Sequence, residues 1–387
     1  MAYIPYGKQS INAQDLKNVI DVLLSDWLTQ GPMIEQFEKI VADYCGAKYA
    51  VAVNSATAAL HIACLASELG PDDIMYTSPN TFVASANCAR YCGATVDFVD
   101  IDKKTYNMSV EELKKRLALA ETVGKLPKVV IPVHFSGQSC DMEDIFELAG
   151  KYGFKVIEDA SHAIGGSYKE SKIGSCLYSD MTVFSFHPVK IVTTGEGGMV
   201  LTNNPDLYQK LLLFRSHGIT RNEAYMQGLS HGPWYYQQID LGYNYRITDL
   251  QSALGVSQMS RIDGFVQKRH KIAQRYNSRL NKLPLIIPYQ NPVCYSAYHL
   301  YVIRLMLDKI ELTHRQVFER LRDVGIGVNL HYIPVHTQPY YQKLGFQEGD
   351  FPVAEQYYRE ALSLPMYYDL TEDEQEYVIQ KIEEILA

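Results

Sequence analysis

No apolar run in the 387-residue chain approaches the ~20 residues needed to span a bilayer, so a helical membrane anchor is not expected. Residues 1–9 have neither an apolar core nor a basic stretch, which argues against a secretory leader and for a cytoplasmic location. The seven cysteines (Cys45, Cys64, Cys88, Cys92, Cys140, Cys176, Cys294) include no Cys-x-x-Cys pair and no histidine cluster beside them. That pattern argues against a disulfide framework and a zinc-type site, leaving reduced, structural thiols and no metal expected. A net charge of -8 without a basic block offers no surface for nucleic acid, so a phosphate-bearing ligand would need a shaped pocket. Repeats, low-complexity tracts and Gly/Ser linkers are also missing, and the parts of the chain should pack closely.

What is present has the balance of an ordinary globular protein, 47% hydrophobic and 21% charged, at a length that suits two domains. Leu16, Val19, Ile20, Leu23 and Leu24 recur at helical spacing behind Asn12, predicting a helix over residues 12–27. Strand patterns at 49–53, 74–77, 96–99, 128–133 and 155–158 then alternate with helical patterns at 57–69, 81–92, 109–119 and a stretch ending at 147. This rhythm predicts an α/β fold with a doubly wound, mixed and mostly parallel sheet. Two more strands, 182–186 and 198–202, are joined by a Gly-rich turn. A long helical stretch over 251–283, a strand at 301–305, a helix at 313–324 and a last helix capped by Thr371 and Glu374 predict a smaller C-terminal α+β domain. The boundary is placed near Ser260, giving domains 1–260 and 261–387.

Asp159 follows the strand 155–158, at the edge where open α/β sheets collect ligands. Alone it would be as well explained as a turn former. Ser185 comes 26 residues later, inside Phe184-Ser185-Phe186-His187-Pro188-Val189-Lys190, and Gly195-Glu196-Gly197-Gly198 follows. Carboxylate, hydroxyl and lysine in this order are what pyridoxal phosphate chemistry requires. The lysine amine forms a Schiff base and shuttles a proton, the carboxylate keeps the pyridine nitrogen protonated, and the hydroxyl donates to the phosphate. Asn54-Ser55-Ala56-Thr57 closes one strand and opens a helix, a phosphate-binding geometry that a plain N-cap explains equally well. Phe82, at the next helix start, is placed to stack on a planar ring.

With these stretches the sequence resembles the DegT/StrS-type sugar-nucleotide aminotransferases, dimeric fold-type-I pyridoxal phosphate enzymes. The likeness extends through Leu28-Thr29-Gln30-Gly31-Pro32, Thr81-Phe82-Val83-Ala84-Ser85-Ala86-Asn87, Glu158-Asp159-Ala160-Ser161-His162-Ala163, Leu241-Gly242-Tyr243-Asn244-Tyr245-Arg246 and His331-Tyr332-Ile333-Pro334-Val335-His336. The resemblance implies Lys190 for the Schiff base, Asp159 for the pyridine nitrogen, His162 near the ring hydroxyl and Phe82 against the ring. It also implies Ala56, Thr57 and Ser185 for the phosphate, with Asn244 reaching the phosphate of a neighbouring subunit in a homodimer with shared sites. For substrate it implies Tyr6, then Asp26, Trp27, Leu28 and Thr29, and finally Asn329, Leu330, His331 and Tyr332, with His331 and the amides of Leu28 and Thr29 as candidates for the pyrophosphate.

Within the family, Arg215-Ser216-His217-Gly218-Ile219 and Gly325-Ile326-Gly327-Val328 most resemble aminotransferases of pseudaminic acid biosynthesis. These use L-glutamate and a UDP-linked 4-keto-6-deoxy amino sugar, whereas perosamine-type relatives take dTDP- or GDP-linked keto sugars. Asp26-Trp27 departs from the first pattern. Dehydratase relatives carry histidine at the lysine position, which Lys190 argues against, and a silent homologue would be expected to lose the Asp159, Ser185 and Lys190 set, all three of which are present.

Overall fold

In the computed structural model, which describes residues 3–386, seven strands form the central sheet. They are β1 (Tyr49–Val53), β2 (Ile74–Thr77), β3 (Thr95–Phe98), β4 (Val129–Ile131), β5 (Lys155–Asp159), β6 (Met181–Ser185) and β7 (Gly198–Thr202). Their order is β1-β7-β6-β5-β4-β2-β3, and only β7 runs antiparallel to its neighbours. Helices cover both faces, so the inner strands are buried throughout and read as continuous apolar runs. The expected α/β fold with a mixed, mostly parallel sheet is what the chain adopts.

The first helix differs from expectation in a useful way. It spans Ala13–Leu23, capped by Asn12 in a capping box with Asp15, but its buried residues are Asp15 and Val22. Leu16, Ile20, Leu23 and Leu24, the residues whose spacing predicted the helix, are exposed. Four helices lie outside the sequence reading, Pro32–Cys45, Pro205–Arg215, Pro339–Gln342 and Pro352–Glu360, each with proline in its first turn, where a missing N–H costs nothing. The first has only Gly31 as N-cap; Asp249 supplies the acceptor instead, its Oδ1 taking the Ile34 N–H at 3.1 Å. The predicted helix over 251–283 is two helices, Asp249–Met259 and Ile262–Leu280, broken at Ser260 and Arg261.

The smaller body packs helices Ile262–Leu280, His314–Asp323 and Glu372–Leu386 around a three-stranded antiparallel sheet of Leu285–Ile286, Tyr301–Leu305 and Ala361–Leu364. Ile4 lies in the same cluster, hydrogen-bonded on both sides to the backbone of Gly325 and Gly327 at 2.9 and 2.7 Å. In the other direction, Val335, Tyr341, Phe351 and Tyr357 join the apolar cluster of the large sheet. The chain thus crosses between the two bodies at both ends, which a single boundary near residue 260 does not describe.

Candidate active site

The carboxyl ends of β1, β2, β5 and β6 converge on one edge of the sheet. After β1, Ser55 caps the helix Ala56–Ala66 by accepting the Ala58 N–H at 3.1 Å, leaving Ala56 and Thr57 in a first turn whose N–H groups have no helical partner. Gly198, at the start of β7, lies so close that a Cβ there would stand 2.5 Å from the Ser55 carbonyl. Only glycine permits this approach of β7 to the turn. Ser185 ends β6 and is buried beside it.

Asp159 ends β5 and is buried. Its Oδ2 accepts from the Ser85 hydroxyl at 2.6 Å and its Oδ1 from the Ser161 N–H at 3.1 Å. Lys190 sits in the turn after β6, its own N–H bonded to the His187 carbonyl. Burial pushes its amine down to about 8, against the pull of the Asp159 carboxylate, so a substantial neutral fraction exists near neutral pH. His162 is buried with its Nδ1 accepting the Ser136 N–H at 3.2 Å, which assigns the ring proton to Nε2, facing the Tyr332 hydroxyl at 3.1 Å. Burial, and then the Lys190 charge, hold this imidazole well below its ordinary range and keep it neutral.

A second layer lies over the first. Tyr332 stands 6.2 Å ring to ring from Phe82, whose side chain is exposed. Tyr6 packs 5.2 Å from His331. His331 bonds Ser363 through Nδ1 at 2.8 Å and lies 3.4 Å from the Asn329 amide through Nε2. Burial, then the Lys190 charge, pushes it down to about 3, so His331 is a neutral hydrogen-bonding ring and not the cation a pyrophosphate would prefer. Leu330 continues the same segment, its N–H held by the Asn329 side chain at 2.9 Å.

Other expected site residues lie apart. Asp26, Trp27, Leu28 and Thr29 are all exposed, and Trp27 lines a cleft of about 380 Å³ with Asp21, Val22, Pro32 and Asp249, away from Lys190. Asn244 is exposed as well, its carbonyl 3.4 Å from the Asn54 side chain of the same chain. His217 pairs backbone with Tyr243 at 2.9 Å. Conversely, Ser85 and His299 were not singled out by the sequence. His299 packs 4.4 Å from His162. Thr81 and Ser85 form an i,i+4 hydroxyl pair that was legible; nothing local marks His299.

The donor set fits pyridoxal phosphate. A partly neutral amine, a buried carboxylate clamped by two donors, a hydroxyl beside a helix N-terminus and an exposed aromatic ring are the contacts that its aldehyde, ring nitrogen, phosphate and ring need.

Comparison with known proteins agrees. The DegT/DnrJ/EryC1/StrS aminotransferase family matches residues 9–383. A UDP-4-amino-4,6-dideoxy-N-acetyl-beta-L-altrosamine transaminase of Campylobacter jejuni is 36% identical over 99% of this chain and 97% of its own. A GDP-perosamine synthase of Caulobacter vibrioides is 35% identical over 95% and 94%. Among solved structures, Helicobacter pylori PseC, an aminotransferase involved in the biosynthesis of pseudoaminic acid, superposes with a TM-score of 0.89 at 29% identity, covering 99% of both chains. The PLP-form of a putative sugar aminotransferase, Spr1654 of Streptococcus pneumoniae, gives 0.89 at 28% identity over 100% of both. The chain therefore belongs to the DegT/DnrJ/EryC1/StrS aminotransferase family and is a sugar aminotransferase dependent on pyridoxal phosphate.

Proposed function

We propose that this enzyme transfers the amino group of L-glutamate to the 4-keto group of a UDP-linked 4-keto-6-deoxy-N-acetyl hexosamine, as in pseudaminic acid biosynthesis. The observation that carries the reading is the convergence of Lys190, Asp159 and Ser185 at one sheet edge. Bound pyridoxal phosphate supplies an electrophilic carbonyl and an electron-withdrawing ring. Asp159 would hold the ring nitrogen, His162 the ring hydroxyl and Phe82 the ring face, while Ser185, Ala56 and Thr57 would hold the phosphate. Lys190 Nζ, partly neutral, takes the proton from the α-carbon of glutamate and returns one to C4 of the sugar. Tyr6, Asn329, Leu330, His331 and Tyr332 form the sugar side of the pocket, and their neutral rings bind by hydrogen bonds.

The working unit is a homodimer. Leu16, Ile20, Leu23, Leu24, Trp27 and Leu28 form an exposed apolar surface of the kind that a second copy covers. In that dimer Asn244 of each chain completes the phosphate site of the other, and Asp26, Trp27, Leu28 and Thr29 approach the neighbouring substrate. The runner-up acceptor is a GDP- or dTDP-linked keto sugar without the acetamido group, favoured by the near-equal likeness to the perosamine synthase. Measuring kcat/KM for the competing keto sugars with glutamate fixed decides. A pocket built around the acetamide rejects the sugar lacking it by more than about tenfold, and the reverse preference removes the UDP-sugar assignment.

A further inference from the structure

We propose that Ser85 is a positioning residue for the Asp159 carboxylate, with Thr81 as the donor behind it. The inference rests on Asp159 serving the cofactor's ring nitrogen.

Thr81, Ser85 and Asp159 are all buried, and their side chains form one line: Thr81 Oγ1 lies 2.7 Å from Ser85 Oγ, which lies 2.6 Å from Asp159 Oδ2. Proton counting fixes the direction. An ionised carboxylate only accepts, so the single Ser85 proton points at Oδ2. The Ser85 oxygen is then left as acceptor for the Thr81 proton, and the relay is polarised toward the carboxylate. The Ser161 N–H holds the other oxygen at 3.1 Å. Two donors on two different oxygens stop the carboxylate from turning about its Cβ–Cγ bond, and they leave free lone pairs in a fixed direction. A ring nitrogen needs that fixed direction, because an N–H bond to a rotating acceptor is made only part of the time.

The placement of Ser85 couples this clamp to the ring face. The Ser85 N–H bonds the Phe82 carbonyl at 3.2 Å, so one turn at the start of the helix Ala84–Tyr91 sets both Phe82 and the partner of Asp159. If Ser85 only satisfied a buried polar group, its removal would lower stability and leave the ring nitrogen unchanged.

The test is the nitrogen chemical shift of 15N-labelled pyridoxal phosphate bound to wild type, Asp159→Asn, Ser85→Ala, Ser85→Thr and Thr81→Val, with the cofactor Kd measured alongside. Asp159→Asn is expected to move the signal toward neutral pyridine. Ser85→Ala is expected to move it the same way, with Kd weakened roughly tenfold, the size of one hydrogen bond to a charged group. Ser85→Thr, which keeps the hydroxyl, should restore both, and Thr81→Val should give a smaller displacement. If Asp159→Asn shifts the signal while Ser85→Ala leaves signal and Kd at wild-type values, the positioning role is overturned. Should Ser85→Ala not fold, an unshifted signal in Thr81→Val overturns it equally. No response in Asp159→Asn itself would instead remove the ring-nitrogen assignment on which the proposal stands.

Discussion

The floor of the site and its rim are built on opposite terms. Around Asp159, His162 and Ser85 the polar atoms are buried and matched within one chain, each acceptor meeting a donor from a neighbouring strand end or helix start. At Asp26, Trp27, Leu28, Thr29 and Asn244 the side chains are exposed. The difference teaches that orienting a cofactor is a task for a finished interior, whereas the rim, on the proposed dimer, waits for a surface that another chain brings. The floor should therefore fail by chemistry and the rim by assembly.

Lys190→Ala tests the floor hardest. Turnover should fall by ~10⁴-fold or more, the upper range for a proton-transferring group, with the fold and dimer unchanged by circular dichroism and sedimentation. Near-normal transamination would take Lys190 out of the mechanism. Asp159→Asn should slow the single-turnover half-reaction with glutamate by ~10²–10³-fold while cofactor still binds, because an amide cannot stabilise a protonated ring nitrogen. Equal single-turnover rates would reject its role.

Asn244→Ala should weaken cofactor binding by ~10-fold, the loss of one phosphate hydrogen bond. At cofactor concentrations too low to load Asn244→Ala alone, mixing it with Lys190→Ala chains should restore activity, since one site of the heterodimer is then intact. Absence of recovery, with subunit exchange confirmed, would return Asn244 to its own chain and erase the distinction between floor and rim.

The smallest effect is that of pH on cofactor capture by the apoenzyme. The reactive amine is neutral, and the folded Lys190 loses its proton through about 8, not at the ordinary lysine value. Stopped-flow capture should rise about fivefold from pH 7 to 8 and less than about twofold from 8 to 9. A continued tenfold rise per unit through that interval would show an unshifted lysine.

Much of the floor was legible because its signals are local. Lys190, Asp159 and Ser185 are informative residue types at predictable strand ends, and the alternating pattern of strands and helices fixes where those ends fall. The first helix shows the limit: the spacing of Leu16, Ile20 and Leu23 reveals an apolar face but not what covers it, and nothing among the described residues does. Pro32–Cys45 escaped because its capping acceptor, Asp249, is 215 residues from Ile34. Ser85 escaped in the same way, since its partner is 74 residues downstream. A hydroxyl's purpose lies in the atom it points at, and that atom is supplied by the fold.

The bridge from Ile4 to Gly325 and Gly327 has a consequence for how the chain is made. On the ribosome, the segment containing Ile4 is made before the central sheet and has no partner to join until residue 327 has followed it, a wait of roughly 15–65 s at ordinary elongation rates. The central sheet, complete by Thr202, can close meanwhile. The smaller body is then closed by a segment made before the sheet, whose residues are among the last to find their place.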